Sequence, residues 1–392
     1  MTPHEPVAGT PGLPVPATPP GTVVSEVPET YWRLVWRRFR RSRVALVGAV
    51  IIGFFYLVCF VFAEFFAPYT VDYNHRTYLS GPPQIPRLGI NWVDAEGKRH
   101  LIRPYVYGWT RELDRRTFRR TFVVDTSKRY PIYFFVRGQP YRMWRLISWD
   151  VHLFGVKHPD ATLFLLGTDR LGRDVFSRII YGGRVSLSVG LIGVLLTIVF
   201  GSLMGTISGY YGGVVDNVLM RATEVLMAFP HLPLWMALSA AVPPHWPPVA
   251  VYFGVTIILS FLSWGSLARE IRGKVLALRE EEFVLAARCL GADDRRIILR
   301  HLLPGCLSHI IVVATLAIPN MILGETALSF LGLGLKPPMT SWGVLLNEAQ
   351  NVRTLAQAPW LVIPAFPVIL AILAYNFLGD GLRDAADPYG RT

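Results

Sequence analysis

Charge is scarce in this chain. Asp, Glu, Lys and Arg make up 17% of its 392 residues, against about 25% in soluble domains. Acidic residues are the scarcer kind, 27 against 39 Lys and Arg, so the net charge is +12. Cysteine is almost missing. Cys59, Cys289 and Cys306 are the three present; no two have metal-ligand spacing, which excludes a disulfide scaffold and a thiolate metal site. The signatures of catalysis are missing too. The phosphate-cradling GxxxxGK[ST] loop does not occur: the nearest approach, Gly273-Lys274, has Ala268 where the first Gly belongs and Val275 where Ser or Thr belongs. Neither HExxH nor GxSxG is present. His152 and His158 share one segment, and a pair spaced that way reads as surface histidines rather than as a metal site. The expectation is therefore no catalytic residue, no metal site and no cofactor held by this chain. Any work it does draws energy from a partner.

What is present is apolar. Hydrophobic residues reach 52% and mean hydropathy is +0.37, which excludes an ordinary soluble domain and disorder over most of the length. In a soluble chain an isoelectric point near 9.8 would suggest nucleic acid. Here arginines flank apolar runs, so membrane orientation is the simpler account and no nucleic-acid partner is expected. A spanning helix needs about 20 mostly apolar residues. Six runs qualify: residues 44–66, 185–208, 225–242, 249–268, 306–328 and 360–378. The third is the weakest, because Pro230, His231 and Pro233 interrupt its start.

Orientation follows from the short flanks. Arg33, Arg37, Arg38, Arg40, Arg41 and Arg43 precede the first run, which places the N-terminus in the cytoplasm. Six crossings return the C-terminal segment 381–392 to the same side. The loop 269–304 is then cytoplasmic, and it carries Arg269, Arg272, Lys274, Arg279, Arg288, Arg295, Arg296 and Arg300. Residues 67–165 are outside by this count despite their many arginines, since loops beyond about 60 residues escape the positive-inside rule. Alternation at 121–124 and 130–136 predicts short strands there, in a small extracytoplasmic insertion of mixed or β character. Its Tyr105, Tyr107, Trp109, Arg142, Trp144 and Arg145 suit either docking of an acidic or amphipathic partner or a scaffold against a sister subunit. Residues 1–28 are rich in Pro, Gly, Thr and Val and lack the basic start and apolar core of a signal peptide; they read as a disordered cytoplasmic tail. Residues 29–43 interleave Tyr31, Trp32, Leu34, Val35, Trp36 and Phe39 with arginine, the pattern of an interfacial amphipathic helix on the lipid surface.

The loop 269–304 is the most informative segment. Phe283, Ala286, Ala287 and Leu290 fall at i, i+3, i+4 and i+7 and form one apolar stripe. Gly291 suits a left-handed position after the helix, and Asp293 or Asp294 can cap the next one. Ile297, Ile298 and Leu302 are apolar in that second helix, and Pro304 marks entry to the fifth run. A short helix with a small-residue face, ringed by charge, can plug into a cytosolic partner or lie flat on the membrane.

This segment resembles the EAA loop of ABC-importer permeases, with Ala286, Ala287, Gly291, Leu303 and Pro304 at matching positions and Leu285 and His301 departing from the pattern. Glu282-Phe283-Val284 resembles the lead-in to that loop in dipeptide, oligopeptide and nickel permeases. Gly167-Thr168-Asp169 with Gly172-Arg173-Asp174, then Phe330–Gly334 with Ser341-Trp342-Gly343, and Asn376–Asp384 with Asp387-Pro388, are similar to stretches of the C-type subunit. The resemblance covers residues 30–66 and 162–390. It implies an all-α membrane protein, six transmembrane helices in the type I importer permease fold, in the bacterial inner membrane, with a permease core at 166–380. It implies further that the chain is half of a translocation path for peptides or a peptide-sized solute. Its partners would be a homologous B-type permease, two cytosolic ATPases carrying ATP and Mg, and an extracytoplasmic solute-binding protein. The ATPase-coupling residues would be Glu282, Phe283, Ala286, Ala287, Gly291, Ala292, Asp293, Leu303 and Pro304. Glu325, ionisable at membrane depth, is a candidate for the translocation path, with helix packing as its other reading. The contrasting account is an ion-driven secondary transporter, which predicts internal repeats and paired intramembrane charges; the sequence shows neither clearly.

Overall fold

The computed structural model describes residues 31–113, 120–144, 146–158 and 161–386. The expected tail at 1–28, Arg145 and the Asp387-Pro388 pair lie outside the described residues. Helix α1 (Tyr31–Phe39) is the arginine-rich amphipathic segment. It buries Val35 and Phe39 against Ala45 and Ala385. Ser42 caps the next helix through Ala45 N at 3.3 Å. That helix, α2 (Arg43–Tyr56), continues into a π turn at Leu57–Val61, and the two together are long and apolar enough to cross a membrane. Val44, Val47, Val50, Phe54 and Leu57 form an exposed apolar stripe along it, at the three- and four-residue spacing of one helix face. A short helix α3 (Ala63–Phe66) follows.

Five strands come next. β1 (Arg87–Val93), β2 (Arg99–Leu113) and β3 (Arg120–Pro131) form an antiparallel sheet in that order. β4 (Tyr133–Met143) and β5 (Ile147–Gly155) form a separate hairpin. The alternation expected as one strand at 130–136 straddles the β3–β4 junction, where Ile132 N bonds back to Pro104 O at 2.8 Å.

α4 (Val175–Tyr211) runs 37 residues, begins ten residues before the expected span, and is capped by Asp174. The expected third span is not one helix. α5 (Gly213–Ala228) and α6 (His231–Ala240) meet at Phe229-Pro230; the residue before a proline is pushed out of helical backbone, and Phe229 is extended at φ −90°, ψ 139°. Neither piece is long enough to count as a span, so five helices rather than six pass that test among the described residues. α7 (Pro248–Leu278) is the next long helix. After it come α8 (Glu282–Cys289), α9 (Asp294–Arg296), a π turn at Ile297–Leu302 and α10 (Leu303–Gly305). α11 (Leu307–Phe330), α12 (Trp342–Asn347), α13 (Val352–Gln357) and α14 (Ala365–Ala386) complete the chain.

Close packing sets the helix order. α4 and α7 run parallel: the Tyr252 hydroxyl bonds Ser188 Oγ at 2.9 Å near their first halves, and Gly209 abuts Arg272 and Val275 near their ends. α5 is antiparallel to α7, with Asp216 on Arg272 and Thr223 against Gly265. The path from α4 to α7 therefore climbs back through α5 and α6, about 39 Å of helix at 1.5 Å per residue. Small residues allow the approach. A methyl group on Gly201 would stand 2.9 Å from Trp264 O, and one on Gly205 would run into Ala268 O. Such small-residue seams let backbones meet where lipid offers no hydrophobic drive. The central core gathers Leu187, Leu259, Ile322, Trp342 and Ala371 from α4, α7, α11, α12 and α14.

Candidate functional site

The loop after α7 hangs from the ends of α4 and α7. Glu281 and Glu282 open α8, where negative charge favours the helix N-terminus. Val284 is its one buried side chain, set into a cluster with Tyr210, Val275, Ile297, Leu302 and Cys306. The stripe read from the sequence points the other way. Phe283, Ala286 and Leu290 are exposed, Leu290 at 88%, and Ala287 is half-buried. Periodicity identified the helix and its apolar face, but it could not say that this chain leaves the face uncovered.

The turn after α8 is a Schellman closure: Ala292 N bonds Ala287 O at 3.0 Å and Gly291 N bonds Arg288 O at 2.9 Å. Gly291 takes φ +78°. The two aspartates divide the work. Asp293 caps α9 through Arg296 N at 3.3 Å, and Asp294 accepts the Tyr210 hydroxyl at 2.6 Å. Arg288 lies over the Tyr210 ring at 5.1 Å, so the last turn of α4 grips both sides of the loop. Arg279 reaches back to Gly209 O at 3.2 Å. Ala292 and Leu303 pack into the same cluster, and Pro304 stands exposed in the first turn of α10.

At the other end of α4, the Gly167–Asp174 stretch forms a buried clasp. Gly167 and Gly172 take φ +77° and +76°, conformations that only glycine adopts freely. Asp169 accepts from Leu171 N at 2.8 Å, Arg173 N at 2.9 Å and Arg173 Nε at 2.6 Å. It also pairs with Arg178, whose side chain is 1% exposed. Glu348 joins both arginines, at 3.3 Å from Arg173 and 3.1 Å from Arg178. Thr168 accepts from Gly81 N at 2.7 Å and donates to Tyr78 O, while Trp360 Nε1 donates to Thr168 O at 2.9 Å. The clasp ties the loop before β1, the start of α4 and the segment before α14 together. Asp174 accepts from Ser177 N at 2.8 Å and Ser177 Oγ at 2.6 Å. Its other oxygen is buried without a partner. Burial pushes its carboxyl up to about 7, against the smaller downward pull of the Ser177 hydrogen bonds.

Glu325 is fully buried on α11. Its carboxylate accepts Ser186 Oγ at 2.9 Å and Ser329 Oγ at 2.8 Å, and Ser186 accepts Trp342 N at 3.1 Å. That cage joins α4, α11 and α12. A cavity of about 400 Å³ adjoins it between α4, α6, α7 and α11, and Gly324 rather than Glu325 lines it. Thr197, His231, Ser263, Ser266 and Asn320 supply its polar lining. A second cavity of about 680 Å³ shares Ser266 and Asn320 and continues to Glu270, Lys274, His309 and Arg383. Sequence reading missed this face, although polar side chains recurring inside apolar runs were the available signal.

His152 departs from its surface reading. It is buried, with Nδ1 facing Ala67 O at 2.7 Å and Nε2 facing Gln139 O at 3.0 Å, so it pins the hairpin to the end of α3. Cys59 and Cys306 are buried and Cys289 is exposed.

Comparison with known proteins adds a second line. Residues 197–389 match the family described as binding-protein-dependent transport system inner membrane component. Residues 30–83 match the N-terminal TM domain of oligopeptide transport permease C. The chain is 42% identical over 223 residues to the dipeptide transport system permease protein DppC of Alkalihalophilus pseudofirmus, covering 57% of this chain and 71% of that protein. It is 42% identical over 231 residues to the oligopeptide transport system permease protein OppC of Haemophilus influenzae, covering 57% and 70%. It is 42% identical over 224 residues to the glutathione transport system permease protein GsiD of Pectobacterium atrosepticum, covering 57% and 72%. Neither family match extends over residues 84–196, which include all five strands.

Proposed function

The chain belongs to the binding-protein-dependent transport permease family, and from that premise we propose that it is the C-type membrane subunit of an ATP-driven peptide importer. One observation carries the mechanism: α8 buries only Val284 and turns Phe283, Ala286 and Leu290 outward. A helix held along one side and apolar on its free side fits a groove on a cytosolic ATPase. Because Tyr210, Arg288 and Asp294 join that helix to α4, movement of an ATPase would be passed to α4 as a rigid lever. Coupling of this kind needs two sites and two global states, with nucleotide favouring one and solute the other.

The same reading takes α5 and α6 together as one broken crossing, giving six crossings with both termini on the coupling-loop side. The two joined cavities would be this chain's half of the solute path. Broken helices are tolerated at membrane depth where they line a cavity, and His231 and Trp235 of α6 do line the first one. A homologous B-type permease would supply the other half. Two ATPases would bind inside, and a solute-binding protein would dock outside. The Glu325 cage reads as helix packing rather than solute contact.

The test is a mild-detergent pull-down of the tagged chain from its native membrane, read by mass spectrometry, with peptide uptake measured beside it. A second permease and ATPase subunits should be recovered, and uptake should stop when ATP is depleted. Recovery of the chain alone, with uptake that follows the ion gradient instead, would overturn the proposal.

A further inference from the structure

The β4–β5 hairpin ends in a tip that no other described residue buries. Leu146 is 83% exposed, and Trp144 and Ile147 are 51% exposed each. Surface aromatics scattered singly need no explanation, but a contiguous patch does. Its position supplies one. Trp144 Nε1 donates to Phe60 O at 3.3 Å, and Phe60 lies in the π turn that closes the first membrane-crossing helix. The Phe135 ring stands 6.1 Å from that of Phe65, in α3. Met143 pairs with Ile147 just above the tip. The tip is thus held level with the last turn of an apolar span whose exposed face carries Phe54 and Leu57.

We propose that the β4–β5 hairpin is a lipid-inserted wedge, its tip seated in the leaflet far from the coupling loop. The patch stands beside the end of a helix long and apolar enough to cross a membrane. Indole rings favour the headgroup level, where one edge can stay polar while the ring is apolar. Here the Trp144 N–H is satisfied by the Phe60 carbonyl, so the ring can sit among lipids with no unpaired donor. Arg137, farther up the hairpin, is exposed and 3.8 Å from Asp150, as suits a strand leaving the interface for water. His152 and the α3 contacts brace the wedge against the helix bundle. The insertion is then fastened to the membrane at a second point besides its chain ends.

The test uses the full chain in vesicles of phosphatidylethanolamine and phosphatidylglycerol, with Cys289→Ser removing the exposed native thiol. Nitroxide labels go on Leu146→Cys and Ile147→Cys, with Val50→Cys as the lipid reference and Glu96→Cys as the aqueous one. All four positions are exposed, so labelling should not disturb the fold. Collision with oxygen reports lipid, and collision with a water-soluble nickel chelate reports solvent. The oxygen-to-nickel ratio at 146 and 147 should lie close to that at 50 and about tenfold above that at 96, as burial in the headgroup and acyl boundary demands. A ratio equal to that at 96 would place the hairpin in water and overturn the proposal. Protection from both colliders would mean a protein covers the tip, and would overturn it equally.

Discussion

Gly291 shows how a single backbone angle can matter to a machine of this kind. No atom crowds it, so its φ of +78° alone requires glycine. Gly291→Ala should cost about 1–2 kcal/mol, a five- to thirty-fold shift in the population of the turn. The loss falls on the orientation of α8 and not on the bundle. We therefore expect the assembled complex to keep hydrolysing ATP while transport per ATP falls, and Gly291→Pro should abolish coupling altogether. Equal transport by wild type and Gly291→Pro would remove the coupling role. Asp174 offers a test of a different sort. Its folded pKa of about 7 lies above its ordinary 3.8, so the folded state holds a proton that the unfolded chain releases. Stability from this group is full below about pH 4, falls as pH rises toward 7, and stays low above it. Asn caps a helix as well as Asp does and cannot ionise. Asp174→Asn should therefore gain on wild type in thermal midpoint as pH rises from about 5 to about 8. A gap that does not change with pH would show that Asp174 is charged throughout.

Helix packing is the scale at which glycine is used for space and not for its backbone angle. Gly201, Gly205 and Gly209 line the α4 seam, each close to a carbonyl oxygen of α7. Gly205→Leu should force the helices apart, with at least the about 1–3 kcal/mol of an overpacked core, whereas Gly53→Leu, with nothing within 4 Å, should be silent. Equal thermal midpoints of the two variants in detergent would contradict the seam. The same scale shows what could be read from the residues. Apolar length located the long helices, because burial in lipid makes composition and position nearly the same thing. The Gly291 turn and a cap at Asp293 or Asp294 were legible because local backbone chemistry decides them. The α5–α6 break was signalled by Pro230, but hydropathy averages over such breaks. Thr168, Asp169 and Arg173 stood out as a motif, yet the partners Glu348 and Trp360 lie 175 and 192 residues away from Arg173 and Thr168, and no local pattern announces a long-range clasp. The polar lining at Thr197, Ser266 and Asn320 escaped notice for the same reason, since it becomes one face only when α4, α7 and α11 are brought together.

For the molecule as a whole, the decisive feature is polarity from end to end. α4 begins at the clasp beside the strands and ends at Tyr210, against the loop that carries α8, so the strands and α8 lie at opposite ends of a helix of 37 residues. At 1.5 Å per residue that is about 55 Å, more than the 40–45 Å of a bilayer with its headgroups. On the proposed topology the arginine-bearing loop would face the cytoplasm and the strands would lie outside. Two thiols test this directly in a Cys289→Ser background. Glu96→Cys, in the turn between β1 and β2, should react with a membrane-impermeant maleimide in spheroplasts. Leu290→Cys should stay silent until the membrane is opened, although Leu290 is fully as accessible as Glu96 is in the isolated chain, both being exposed. Adding the ATPase subunits to opened membranes should then protect Leu290→Cys and leave Glu96→Cys as reactive as before, because only the outward stripe of α8 is expected to be covered. Labelling of Leu290→Cys from outside would invert the topology. Labelling that ATPase cannot suppress would leave the orientation standing but detach the stripe from the partner assigned to it.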